Sequence, residues 1–244
     1  MNILILAAGA SSYELHDGDY PLCMTEFNDM PLLEHLVRSC KPMPSPKFIF
    51  SLNQNDIRQW HLDNIVKLID PSASLIQVPE KTSGAACTAL LGISHIDNDD
   101  ELLIISANQV VDADLKSITD EFRAKKYDAA TIIFDSIHPR YSYVRLDEKN
   151  QVIEAAEKLP ISRYATAGIY WYAKGSDFVW AAKSMISKDA SVDGKFYICP
   201  TFNEMILKHA TIGVFHIDHN KYFPLKTERQ IQLFENKIES VKNN

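Results

Sequence analysis

Several stretches of the chain carry residue types that could do chemistry. Gly9-Ala10-Ser11-Ser12 is a small and polar run directly after the apolar segment 2–8. In an α/β protein, such a turn sits at the carboxyl end of the first strand, where ligands bind. Gly84-Ala85-Ala86, preceded by Thr82-Ser83, is small enough for a flat ring to lie on a helix start, and equally suits tight packing. Asp112-Ala113-Asp114 has the DxD spacing with which two carboxylates hold a divalent cation, although an aspartate opening a helix is commonly a cap. In Glu157-Lys158, a carboxylate that accepts hydroxyl donors stands beside a point charge suited to phosphate. The plain alternative for that pair is an exposed strand end. His216 and His219 flank Asp218, a spacing that is more often incidental than a metal site.

The elements that must position these residues alternate between strand and helix. Apolar runs at 2–8, 47–52, 74–78, 101–106 and 129–134 read as buried strands. Between them, helices are expected at 31–37, 55–69, 84–93 and 115–124, the last capped by Asp112 or Asp114. That alternation predicts a parallel sheet covered on both faces, with residues 9–20 and 82–88 meeting at the strands' carboxyl ends. The second half differs. Segments 141–146 and 151–156 flank Asp147-Glu148-Lys149-Asn150 and read as a hairpin. A strand at 166–173, helices at 177–186 and 200–207, a strand at 211–217 and a polar helix at 227–241 follow.

Bulk properties narrow the class. The chain has 244 residues, 46% hydrophobic and 23% charged, which suits one large globular domain. A net charge of −7 argues against nucleic acid, whose phosphates need Lys and Arg, and leaves small anionic ligands open. Cys23, Cys40, Cys87 and Cys199 form no CxxC pair, so a reduced, cytoplasmic protein is expected. No apolar run approaches the roughly 18 residues of a membrane span.

Two groups of motifs then point to a family. Leu6-Ala7-Ala8-Gly9, Tyr20-Pro21 and Met30-Pro31-Leu32-Leu33-Glu34-His35 resemble the opening of the nucleoside-diphosphate-sugar pyrophosphorylases, nucleotidyltransferases with a GT-A-like fold. Glu157-Lys158-Leu159-Pro160, then Ala165-Thr166-Ala167-Gly168-Ile169-Tyr170, resembles their E-K-x-P and G-(I/L)-Y segments. The resemblance implies a Rossmann-like GT-A α/β/α sandwich with a mostly parallel central sheet and a small β-rich, sugar-binding part. It implies one domain over 1–244, with a nucleotide-binding half at 1–135 and a sugar-phosphate half at 136–244.

The resemblance also implies roles. Ala8, Gly9, Ala10, Ser11, Gln77, Gly84 and Ala85 would contact nucleotide. Asn108, Glu157, Lys158 and Gly168 would contact substrate, and magnesium would lie at Asn108, with Asp112 a second candidate and Asp218 a third. The chain departs from the family where charge is handled. Ser11 replaces a glycine, Tyr13 an arginine, Leu22 a lysine, and Asn108 the aspartate that holds the metal. Near the end, Lys226 replaces a glycine. Since nucleotidyl transfer is mostly positioning and charge neutralisation, each loss would cost on the order of 3 kcal/mol of barrier. Three activities follow: a working nucleotidyltransferase of surface-polysaccharide precursor synthesis with Lys81, Arg38 or Lys226 compensating, a degenerate relative binding a phosphorylated ligand, or a DxD glycosyltransferase. Oligomer formation, or pairing with an active paralogue, is left open.

Overall fold

The computed structural model describes residues 1–9, 20–27, 29–79 and 82–242. The first half runs β1 (Asn2–Leu6), α1 (Leu32–Cys40), β2 (Lys47–Asn53), α2 (Gln54–Trp60), α3 (Leu62–Ile69), β3 (Ser74–Val78), α4 (Ala85–Leu90), α5 (Ile93–Ile96) and β4 (Leu102–Ser106). It continues with β5 (Gln109–Val111), α6 (Leu115–Ala124) and β6 (Ala129–Asp135). The second half contains β7 (Ser142–Leu146), β8 (Val152–Glu157), β9 (Tyr164–Tyr172), α7 (Gly175–Ser187), α8 (Thr201–Leu207), β10 (Ile212–His216), β11 (Tyr222–Pro224) and α9 (Glu228–Lys242).

Period-two burial explains the layers. Ile3 and Ile5 of β1 enter one core while Leu4 enters the other. Phe48, Phe50 and Leu52 likewise oppose Ile49 on β2, and Leu103 and Ile105 oppose Leu102 and Ile104 on β4. A strand apolar on both faces needs helices on both. Buried residues of α1, α3, α6 and α9 close the first core, and those of α4, α5, α7 and α8 close the second. The result is an α/β/α sandwich.

β1 lies between β2 and β4, parallel to both, and β2 pairs in parallel with β3. The four strands expected to be parallel neighbours are so, in the order β3-β2-β1-β4. The next position breaks the pattern. β9 pairs antiparallel with both β4 and β6, and β10 pairs in parallel with β6. The sheet is mostly parallel, as expected, and β9 is the reversed strand within it. This strand arrives from the β7–β8 hairpin, without a crossover helix, so it can enter the sheet in the reverse direction.

Two helices also differ from expectation. The single helix expected over 55–69 is split at His61, whose φ of 53° is left-handed. Ile57, Leu62 and Val66 are the buried residues, whereas Leu68, expected on the apolar face, is 85% exposed. A spacing of five residues from Ile57 to Leu62 falls about 140° apart on a continuous helix, so the break re-phases the chain and buries both. The helix expected over 84–93 likewise stops at Leu90 and resumes at Ile93. Sequence patterns missed β5 and β11, which pair antiparallel in a separate small sheet. Among the described residues, no helix is long and apolar enough to cross a membrane.

Candidate functional site

The parallel strands β1, β3 and β4 deliver Gly9, residues 82–88 and Asn108 to one edge of the sheet, because each segment follows the carboxyl end of its strand. Beside that edge lies a cleft of about 190 Å³. Ala85 and Asn108 line it from the first half, and Ser142, Glu157 and Gly168 from β7, β8 and β9. Arg140 and Lys226 add two cations from flanking loops. Four of the expected site residues, Ala85, Asn108, Glu157 and Gly168, thus converge from separate segments.

Glu157 is the cleft's carboxylate. It is 9% exposed and accepts a hydrogen bond from the Ser142 hydroxyl on the neighbouring strand. Burial pushes its pKa up, while the Ser142 hydrogen bond and the charges of Lys158 and Lys226 pull it down. Lys226 shows the converse. Burial pushes its ammonium down, Glu157 pulls it up, and Arg140 and Lys158 push it down further. Lys158 has a left-handed φ of 55°. Its Nζ lies 3.1 Å from Asp193 and over the Tyr197 ring at 5.4 Å, at the rim of the cleft that Tyr197 lines.

Two glycines are fixed by close contacts. Gly84 has φ +108°, and a Cβ there would lie 2.4 Å from the Phe196 carbonyl oxygen. The Phe196 amide donates to Ser83 O at 2.7 Å and the Ala86 amide donates to Phe196 O at 3.0 Å, which pins the loop carrying Tyr197 to the start of α4. In the described residues this packing accounts for the glycine. A Cβ on Gly168 would meet the Gln109 amide. That buried amide donates to Ala167 O, and its oxygen accepts from the Tyr222 hydroxyl at 2.9 Å, coupling β9 to β5 and β11 behind the cleft.

Other expected residues are placed elsewhere. Gln77 is exposed on the edge strand β3 and does not line the cleft. Leu22 packs against the first core beside buried Cys23, so an apolar contact takes up its side chain. Arg38 pairs with Glu34 one turn earlier on α1, at 2.7 Å. Asp114 caps α6, accepting from the amides of Lys116 and Ser117. Asp112 lies in a different, largely apolar hollow bounded by α1, α9 and β5. Asp218 lines a third hollow with Asp114 and His216, and His216 pairs with Asp135 at 3.3 Å. The His219 ring packs on Phe134. Ala10, Ser11, Tyr13 and Lys81 lie outside the described residues.

Sequence patterns did not single out Arg140 or Ser142, and gave Gln109 no role of its own beside Asn108. Arg140 and Ser142 flank the start of a hairpin strand, and only the strand signal was legible there. Gln109 is polar in an apolar setting, a buried-amide signal that needs the fold to be seen.

A mostly parallel sheet with one reversed strand, a β-rich insertion and a cleft at the strands' carboxyl ends defines a Rossmann-like α/β class. The nucleotidyl transferase family model matches residues 5–198, and the chain belongs to that family. It is similar in fold to the nucleoside-diphosphate-sugar pyrophosphorylase from Vibrio cholerae RC9, at 20% identity with a TM-score of 0.81, over 97% of this chain and 100% of that one. It is also similar to a UDP-glucose pyrophosphorylase complexed with UDP-glucose, at 15% identity with a TM-score of 0.77, over 98% of each chain. No curated protein matches the chain in sequence.

The family generally uses a divalent metal. Such a cation is commonly held by one or two carboxylates together with the substrate's phosphates and water. The described cleft offers one carboxylate, Glu157, which Ser142 already engages and which Lys158 and Lys226 face electrostatically. Among the described residues, no three His, Cys, Asp or Glu side chains converge as a metal set. The cleft's one carboxylate among the described residues is thus already engaged and faced by lysines, a donor set that does not fit magnesium.

Proposed function

We propose that the chain transfers a nucleotidyl group from a nucleoside triphosphate to a sugar 1-phosphate or a similar phosphorylated acceptor. An acceptor phosphate oxygen bonds to the α-phosphorus, the bond to the bridging oxygen breaks, and pyrophosphate leaves. The setting is the cytoplasmic supply of activated sugars for surface polysaccharide. The observation that carries this reading is the cleft itself, where Ala85, Asn108, Glu157 and Gly168 meet two cations at the carboxyl edge of the sheet. Glu157 would accept sugar hydroxyls, since a buried carboxylate is best satisfied by such donors. Arg140 and Lys226 would neutralise phosphate.

A second reading has its own support. Leu22 is committed to the core and Asn108 brings no charge, which favours slow turnover or a phospho-ligand-binding relative that pairs with an active paralogue. The glycosyltransferase reading loses ground because Asp114 already serves as a helix cap. A pyrophosphate-release assay with all four triphosphates and a mixture of sugar 1-phosphates tests the proposal. Release dependent on both substrates is expected. Binding of sugar phosphates without any release would favour the second reading, and no binding of either substrate would refute both.

A further inference from the structure

The family's metal would lie at Asn108, and the fold lines the same cleft with a lysine. β11 runs antiparallel to β5 with Pro224 opposite Gln109. The pairing continues one step further, because the Leu225 amide donates to the Asn108 carbonyl at 2.8 Å. Lys226 is therefore the first residue beyond a segment hydrogen-bonded to Asn108, and both line the same cleft. Its backbone is held in turn by the Gln230 side chain, whose oxygen accepts from the Lys226 amide at 2.9 Å. The position is built, not a loose surface lysine.

The electrostatics agree. The cleft places Arg140 and Lys226 with Glu157, and Lys158 at the rim, in a chain whose net charge is −7. Burial disfavours the Lys226 ammonium and Glu157 favours it, so an entering anion would add to the negative charge that Glu157 supplies. Among the described residues, Glu157 is the one carboxylate that lines this cleft.

We propose that the Lys226 ammonium takes the electrostatic place of the family's metal, neutralising ligand phosphate beside Asn108 without a divalent ion. This deepens the proposed activity and rests on it only for the identity of the phosphate's carrier. A compact ammonium supplies a single positive charge and hydrogen-bond donors to one or two phosphate oxygens. Asn108 contributes its amide as a neutral neighbour, which suits a lysine better than an aspartate would, since a carboxylate there would compete with the phosphate for the ammonium.

The test uses the full chain with lysine side chains labelled at Cε and Nζ, followed by NMR in EDTA. The probes are inorganic pyrophosphate and the nucleoside diphosphate-glucose of each base. One lysine signal, missing in Lys226→Met, is expected to move on titration. Affinity should fall about tenfold or more in Lys226→Met, the loss of a charge-assisted hydrogen bond, and be largely recovered in Lys226→Arg. Magnesium should add no affinity to the wild type. Should Lys226→Met fail to fold, the signal is assigned from Lys226→Arg and the wild-type titration decides. A Lys226 signal unmoved by every probe, or binding that requires magnesium, overturns the inference. If pyrophosphate moves the Lys226 signal while no nucleotide sugar binds, the inference stands and the proposed activity falls. If nucleotide sugars bind wild type and Lys226→Met alike, the activity stands and the inference falls.

Discussion

Gly84→Ala should be among the most damaging single-methyl changes in the protein. Gly84 has φ 108° and ψ 174°, a region essentially closed to residues with a Cβ. Adopting it costs about 1–3 kcal/mol. The added methyl would also sit 2.4 Å from Phe196 O and 2.7 Å from Phe196 N, both backbone atoms. Ordinary contact needs roughly 3.5 Å, so the loop must retreat by about 1 Å. That movement breaks the Phe196–Ser83 and Ala86–Phe196 hydrogen bonds, each worth about 1 kcal/mol. Together the loss is about 3–5 kcal/mol. Urea unfolding reads it as a lower midpoint at unchanged slope. In a thermal melt it is a fall of roughly 6–20 °C for a domain of this size. Gly194→Ala calibrates the dihedral part, because φ there is +69° but nothing lies within 4 Å of the added carbon. It should cost only about 1 kcal/mol. Equal losses at the two positions would refute the argument that the Phe196 backbone is what excludes a side chain at Gly84. Because Tyr197 and Ile198 line the cleft, Gly84→Ala should also weaken sugar-phosphate binding in whatever fraction stays folded.

Other outcomes follow from single contacts. Asn203 both accepts from the Ala155 amide and donates to the Ala155 carbonyl at 2.8 Å, so Asn203→Ala should cost about 1–3 kcal/mol in urea unfolding; a change under about 0.5 kcal/mol would contradict it. Glu157 has its pKa raised by burial, so the native state holds that proton more tightly than the unfolded chain does. Its contribution to stability is full below the ordinary carboxylate value of about 4.3 and is lost as pH rises through the higher native value. Glu157→Gln should remove that part of the stability–pH profile, and an unchanged acidic slope would count against it. Burial raises the Cys23 thiol to about 12 and the Cys40 thiol to about 11, and pushes Cys199 well up. At about pH 8, a thiol reagent should therefore label half-buried Cys87 first, and fast labelling of Cys23 in the native protein would show that its burial is wrong.

Much of the frame was legible because it depends on local rules. Apolar runs buried on both faces forced a helix-covered sheet, and the parallel order of β1 to β4 followed from the alternation of strand and helix. Asp114 was legible as a cap because a carboxylate just before a helix has free amides to satisfy. Glu157 was legible as a candidate site residue only through its motif, since its spacing alone describes an exposed strand end equally well.

What the sequence by itself determined, then, was the α/β class, the parallel half of the sheet, the Glu157–Gly168 segment and the departures at Leu22 and Asn108. Tertiary structure decided the rest, because the deciding interactions join residues far apart in the chain. The reversal of β9 depends on a hairpin docking, and the break at His61 on burying Ile57 and Leu62 together. Ser142 became a partner of Glu157 only when β7 paired with β8. Lys226 came to line one cleft with Asn108, more than a hundred residues earlier in the chain, only when β11 paired with β5. Hydrogen-bond register across strands is a property of the folded pair, and no periodicity within either strand encodes which charge will stand opposite.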